Sequence, residues 1–262
     1  MKRKFKNIMI TLGVAAASCT VLAACGSTGS TTETTTTAET AEITTEAATA
    51  TSNAATDATT QVAAEVDYMV LVNKENKLPD DWEAKLPITK IQNSLGDDVE
   101  VESGAYDAYL KLKADLEKDG VKVDLDSAYR SMEAQQEIID DFTVRYGEDY
   151  VKKYVAVPGF SEHHTGLALD LYLNIDGKDV YMNEDMVKYP EVWEKIHAKL
   201  ADHGFILRYL EGKEKITGYN YEPWHIRYVG DVNVAKEITD KGITLEEYLN
   251  ALPKGDVAPP AE

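Results

Sequence analysis

Positive charge is scarce in this chain. Its 262 residues include 27 Lys plus Arg against 46 Asp plus Glu, for a formal charge of -19. A nucleic-acid binder needs clustered positive charge to displace counterions from phosphates, so that class is excluded. Cysteine is scarcer still, with only Cys19 and Cys25. Both stand close to the N-terminus, which leaves the rest of the chain without a thiol for a disulfide, a Cys-ligated metal or nucleophilic catalysis. No Ser is followed three residues later by Lys, so the Ser-x-x-Lys nucleophile is also missing. Aromatic residues make up 8% and are unevenly placed, since all three Trp and three of the four Phe lie beyond residue 66. No internal repeat and no heptad run appears, and a monomer is expected.

The N-terminus has features of its own. Lys2, Arg3, Lys4 and Lys6 precede a short apolar run from Ile8 to Ala24. This is the basic and apolar pattern of an export signal, too short for a spanning helix. The run ends in Leu22-Ala23-Ala24-Cys25-Gly26, which resembles the bacterial lipobox, where cleavage precedes a cysteine that then carries lipid. Residues 1–24 are therefore expected to be a signal peptide and Cys25 a lipidated first residue. Residues 26–65 are mostly Thr, Ala, Ser and Glu with no aromatic residue, and cannot bury enough surface to offset chain entropy. Residues 25–66 thus read as a disordered tether, 67–255 as one folded domain, and 256–262 as a tail.

From Asp67 onward periodicity sets in. Tyr68–Val72 reads as a strand. Ala105, Tyr109, Leu112 and Leu116 share one helical face that stops at Gly120, and Val121, Val123 and Leu125 then alternate as in a strand. Ser131 is placed to cap a helix with Gln135, Ile138, Ile139 and Phe142 inward. Leu167, Leu169, Leu171 and Leu173 alternate, and Asp176-Gly177 reads as a hairpin turn leading to Val180 and Tyr181. A helix is expected from Pro190 to His203, then strands near Phe205–Tyr209 and Ile226–Val229. Thr244 and Glu247 make a capping-box pattern for a last helix. The mixture predicts an α+β domain, single and compact, with a mainly antiparallel sheet and flanking helices.

Two segments carry the chemistry. In Ser161-Glu162-His163-His164-Thr165-Gly166-Leu167-Ala168-Leu169-Asp170, strand alternation puts Asp170 on the face opposite Leu169 and Leu171. A carboxylate in so apolar a strand must be paired or bound to a metal, since burying it alone is costly. The second segment, Glu222-Pro223-Trp224-His225, also runs into a strand. Two imidazoles and a carboxylate suit a catalytic zinc with its fourth position open.

Ser-x-His with Asp seven residues on, and a distant Glu-x-x-His, closely resemble the zinc-dependent D-alanyl-D-alanine carboxypeptidases of the VanY type, relatives of the VanX dipeptidases. Leu71-Val72-Asn73-Lys74, Ser127-Ala128-Tyr129-Arg130-Ser131 with Gln135 and Gln136, and the stretch from Glu222 to Gly230 extend the resemblance over most of the folded part. It implies one Zn2+ held by His163, Asp170 and His225, with His164 a bystander. It implies Glu222 as the catalytic proton carrier and Arg130 as the contact near the scissile carbonyl. Gln135, Ser161, Tyr209 and Trp224 fall where related enzymes contact the peptide end.

The activity so implied is hydrolysis of the C-terminal D-alanine from peptidoglycan stem peptides by a lipid-anchored enzyme outside the membrane. Relatives with nearly the same motif cut the L-to-D bond of a tetrapeptide stem, so L,D-carboxypeptidase is the alternative. A non-catalytic wall-peptide-binding lipoprotein would be expected to have lost the base, and a solute-binding lipoprotein needs a longer, two-lobed chain.

Overall fold

The computed structural model describes residues 66–251, with backbone alone for Lys153, Tyr154 and Ala251. The expected signal peptide, Cys25, the tail and all of the tether but Val66 lie outside the described residues.

In chain order the elements are α1 (Trp82–Lys85), the hairpin β1 (Ile88–Gln92) and β2 (Asp98–Glu102), α2 (Ser103–Lys118), β3 (Val123–Ser127), α3 (Met132–Tyr146) and α4 (Glu148–Tyr154). A 3-10 turn at Glu162–Thr165 leads to β4 (Ala168–Ile175), β5 (Lys178–Val180), α5 (Asn183–Met186) and α6 (Pro190–Leu200). A second 3-10 turn (Ala201–His203) precedes β6 (Phe205–Leu207), α7 (Glu214–Thr217), β7 (His225–Tyr228), α8 (Val232–Lys241) and α9 (Leu245–Ala251). The main sheet has the order β3-β4-β7-β6 with β5 on β4, and β1-β2 stand apart as a pair. Every pairing among the described residues is antiparallel, as the α+β reading expects.

The core forms where the sequence pattern places it. Tyr109, Leu112 and Leu116 of α2 and Trp193, Ile196 and Leu200 of α6 are buried in one cluster with Leu125, Leu169, Leu171 and Leu173 of the sheet. A smaller cluster joins Ile206 and Val229 to Ala235 and Ile238 of α8 and Leu245 and Tyr248 near the C-terminus. The local signals hold as well. Ser131 Oγ accepts from Ala134 N at 3.1 Å, and Thr244 and Glu247 cap each other reciprocally at 2.8 and 3.1 Å. Asp176 (φ 51) and Gly177 (φ 79) form the β4–β5 turn in the left-handed region that a two-residue hairpin needs.

Two expectations are corrected. Tyr68–Val72 is a turn and loop, not a strand. The carbonyls of Tyr68 and Val70 accept from Arg227 Nη2 at 2.9 Å each, so a buried side chain takes the place of a ladder neighbour. On α3, only Gln135 of the four expected inward residues is buried, with Ile138, Ile139 and Phe142 half-buried. That helix packs chiefly on α4, where the Phe142 ring meets Tyr150 at 6.3 Å, and within α3 it meets Tyr146 at 5.4 Å.

Candidate active site

The centre of the site is set by strand register. Asp170 on β4 stands opposite His225 on β7 and, across its other edge, opposite Ser127 on β3. Directly opposed residues of an antiparallel pair project on the same face, which brings the two functional groups together. His163 arrives from the 3-10 turn, which closes at Gly166 with φ 70. A Cβ at Gly166 would lie 3.1 Å from Leu86 Cδ2 and 3.3 Å from the Glu102 nitrogen, so both the backbone angle and the space require glycine.

The result is a tight triad. His163 Nε2 lies 3.2 Å from Asp170 Oδ2, and His225 Nδ1 lies 2.9 Å from Asp170 Oδ1. One donor atom from each of the three residues falls within 4.8 Å of the others. The outward nitrogens are engaged too, His163 Nδ1 with Ala128 O at 2.8 Å and His225 Nε2 with Glu162 Oε2 at 3.2 Å. A ring that donates from its outer nitrogen keeps an inner lone pair for a metal, so the donor set fits a single zinc with an open fourth position.

Electrostatics support the same arrangement. Burial opposes the Asp170 carboxylate, but His163 and His225 outweigh it and hold the group below the usual carboxylate range. Burial lowers His163, which keeps it neutral. For His225 burial also disfavours the charge, yet its bonds to Asp170 and Glu162 carry it up to about 10. Without a metal, the two carboxylates hold a proton on that ring; a bound cation would displace it from the nitrogen facing Asp170.

Glu222 precedes β7, with its N–H donated to Tyr209 O at 3.3 Å and its carbonyl accepting from His225 N at 3.2 Å. Its carboxyl is pushed up to about 7, by burial first; Asp170 adds to this, while His225 and Arg130 oppose it. A carboxyl that titrates near neutrality suits a proton carrier. Arg130 is held as a fork, donating from Nη1 to Gln135 Oε1 at 3.0 Å and from Nη2 to Ser127 Oγ at 3.1 Å.

The structure separates the remaining expected residues by what they touch. Gln135 is a support for Arg130, and its amide nitrogen donates to Ala156 O at 2.8 Å. Tyr209 stacks on His225 with ring centroids 4.7 Å apart. Ser161 is buried at the start of the 3-10 turn, where its carbonyl accepts from His164 N. Trp224 is half-buried against the main core. His164 is outside the triad but not idle, since Nδ1–H donates to Arg130 O at 2.6 Å and Nε2 accepts from Gly159 N at 3.1 Å. It ties the Pro158-Gly159 loop to the Arg130 backbone. Sequence reasoning missed Glu162, Arg208, Arg227 and Glu246, which are all buried and paired with one another. The signal that pointed to Asp170, a charge inside an apolar strand, also marks Arg227.

The chain is similar to known proteins. The sequence profile of the VanY family, described as D-alanyl-D-alanine carboxypeptidase, matches residues 98–231. The Bacillus subtilis (strain 168) protein YodJ is 37% identical over 193 residues, covering 72% of this chain and 69% of its own length. Among solved structures, a mutant of the vancomycin-resistance D,D-pentapeptidase VanY from a VanB-type cassette, in complex with Zn(II), is 35% identical with a TM-score of 0.57. The match covers 70% of this chain and 99% of that one. The LdcB LD-carboxypeptidase is likewise 35% identical with a TM-score of 0.62, over 70% of this chain and 86% of that one. With the profile on the segment that holds Arg130, the triad and Glu222, and relatives of this similarity over most of the folded part, the chain belongs to the VanY family of D-alanyl-D-alanine carboxypeptidases, and it is a hydrolase.

Proposed function

We propose that the protein is a zinc-dependent D,D-carboxypeptidase that removes the C-terminal D-alanine from peptidoglycan stem peptides. The observation that carries this reading is the convergence of His163, Asp170 and His225 beside a Glu222 carboxyl pushed up to about 7. His163, Asp170 and His225 would hold the zinc ion, which would supply the Lewis acidity that lets water act as a nucleophile at neutral pH. Glu222 takes the proton from the attacking water and later delivers it to the departing amine, as base and then acid. The Arg130 guanidinium, fixed in orientation by Gln135 and Ser127, stabilises the charge that develops on the scissile carbonyl oxygen. Tyr209, Trp224, Ser161 and Gln135 line or support the end of the peptide site.

L,D-carboxypeptidase action on tetrapeptide stems is the second reading, favoured by the likeness to LdcB. The two differ in the chirality of one residue. Hydrolysis rates on defined pentapeptide and tetrapeptide stems decide between them. The expected result is D-alanine release chiefly from the pentapeptide, abolished by a chelator and restored by zinc. Faster release from the tetrapeptide would replace the D,D reading with the L,D one, and binding without release from either would leave only a wall-peptide-binding module.

The reading extends to location. Residues 1–24 act as a lipoprotein signal, Cys25 carries the lipid, and residues 25–66 tether the catalytic domain outside the cell membrane. An acidic chain is repelled by anionic lipid surfaces and wall polymers, so the lipid and not charge attraction holds it there. Cys25→Ala is expected to release the protein from membranes or leave it unprocessed on fractionation. A normally processed, membrane-bound Cys25→Ala protein would sink the idea.

A further inference from the structure

The metal-site reading leaves one group of buried charges without a role. Glu162 lies between Ser161 and His163, with its side chain 1% exposed. Its two oxygens have different partners. Oε1 accepts from Arg208 Nε at 2.7 Å and from Arg227 Nη1 at 2.8 Å, while Oε2 faces His225 Nε2 at 3.2 Å. Arg208 is in turn held bidentately by Glu246, Nη1 to Oε2 at 2.9 Å and Nη2 to Oε1 at 2.7 Å. Asn73 Nδ2 donates to the same Glu246 Oε1 at 3.1 Å. Arg227 is anchored separately by the carbonyls of Tyr68, Val70 and Tyr228. Two guanidinium groups thus face two carboxylates, which allows the cluster to be buried without a net charge.

We infer that Glu162 is the positioning residue for His225, and that Arg208, Arg227 and Glu246 hold it in that role, so that α9 belongs to the scaffold of the metal site. With Oε1 clamped between two arginines, the carboxylate has only one direction left for Oε2, toward the outer nitrogen of His225. That bond sets which ring nitrogen carries hydrogen and which presents its lone pair beside Asp170, and the stacked Tyr209 ring restricts tilt. The contrast with His163 is informative, because its outer nitrogen meets the neutral carbonyl of Ala128. A charged partner makes His225 the stronger donor of the pair. Asn73 and Glu246 both lie outside the residues 98–231 that the family profile matches.

The inference rests on the metal reading, and the test separates the two. Zinc affinity is measured on the full-length protein by competition with a chromophoric chelator, and ligand geometry from the visible spectrum of the Co2+-loaded form. Glu162→Gln should lower zinc affinity by about 10- to 100-fold and alter the cobalt spectrum. In a His225→Ala background the same substitution should change zinc affinity by less than about twofold, since the ring it acts through is gone. Equal losses in both backgrounds, or wild-type affinity and spectrum in Glu162→Gln, overturn the inference in favour of a purely structural cluster. Should Glu162→Gln not fold, Glu246→Gln leaves the direct partners of Glu162 in place and removes only the charge behind Arg208. It should give a several-fold loss that likewise depends on His225, and unchanged affinity there overturns the inference. Failure of the wild-type protein to bind zinc would sink the metal reading itself.

Discussion

Glu222→Gln is expected to lower kcat by about 100- to 10,000-fold while zinc stays bound, the loss typical of removing one general acid-base group. The amide keeps the volume and much of the polarity of the side chain but can neither take a proton from water nor return one to the amine. Zinc should remain because Glu222 is outside the triad of His163, Asp170 and His225. A pH dependence accompanies the effect. The Glu222 carboxyl is pushed up to about 7, and only its deprotonated form is a base. A zinc ion nearby lowers that value, so in the wild-type protein kcat/KM should rise with pH along a limb below about 7, and the residual activity of Glu222→Gln should lack that limb. Stability moves in the opposite sense. A carboxyl whose folded pKa exceeds its unfolded value disfavours folding progressively as pH rises from the unfolded pKa to the folded one. The metal-free Glu222→Gln protein should accordingly melt at neutral pH no lower than the metal-free wild type. Near-normal turnover in Glu222→Gln, or loss of its zinc, would refute the assignment.

Asp170→Ala should remove zinc binding and activity together. Asp170 is the member of the triad that both imidazoles face, at 2.9 Å from His225 and 3.2 Å from His163. Without it two neutral rings are left to hold a dication with no anionic donor among the three positions. Losing a direct ligand should cost more than the roughly 10- to 100-fold associated with an outer partner. Zinc content after dialysis against a weak chelator and D-alanine release on the same sample measure both effects. Asp170→Asn separates charge from shape, and a similar loss there would assign the effect to the negative charge. A folded Asp170→Ala protein that retains stoichiometric zinc would exclude the triad as the metal site.

Much of the fold was legible because its elements are locally encoded. The helical face of Ala105, Tyr109, Leu112 and Leu116, the Leu alternation of β4 and the Thr244–Glu247 capping box each need only neighbours along the chain. Strand β1 was not legible because Ile88-Thr89-Lys90-Ile91-Gln92 spaces its apolar residues by three, against the period of two that marks a half-buried strand, whereas β2 does carry that period in Val99 and Val101. Tyr68–Val72 has strand composition, but among the described residues no strand pairs with it, and pattern alone cannot reveal that Arg227 takes the Tyr68 and Val70 carbonyls.

By itself the sequence determined the chemistry available: no thiol beyond Cys25, no Ser-x-x-Lys, a carboxylate set in an apolar strand, and two histidines with a glutamate in strand-leading motifs. It also carried the resemblance that named the ligands. Tertiary structure alone decided the register that sets Asp170 against His225, residues 55 apart in the chain. It alone joined Glu162, Arg208, Arg227 and Glu246 into one buried cluster. The physical reason is the same in both cases. Residue type and local period fix which face a side chain takes, but cross-strand register and buried charge pairing depend on partners distant in sequence, and those are chosen only when the core closes.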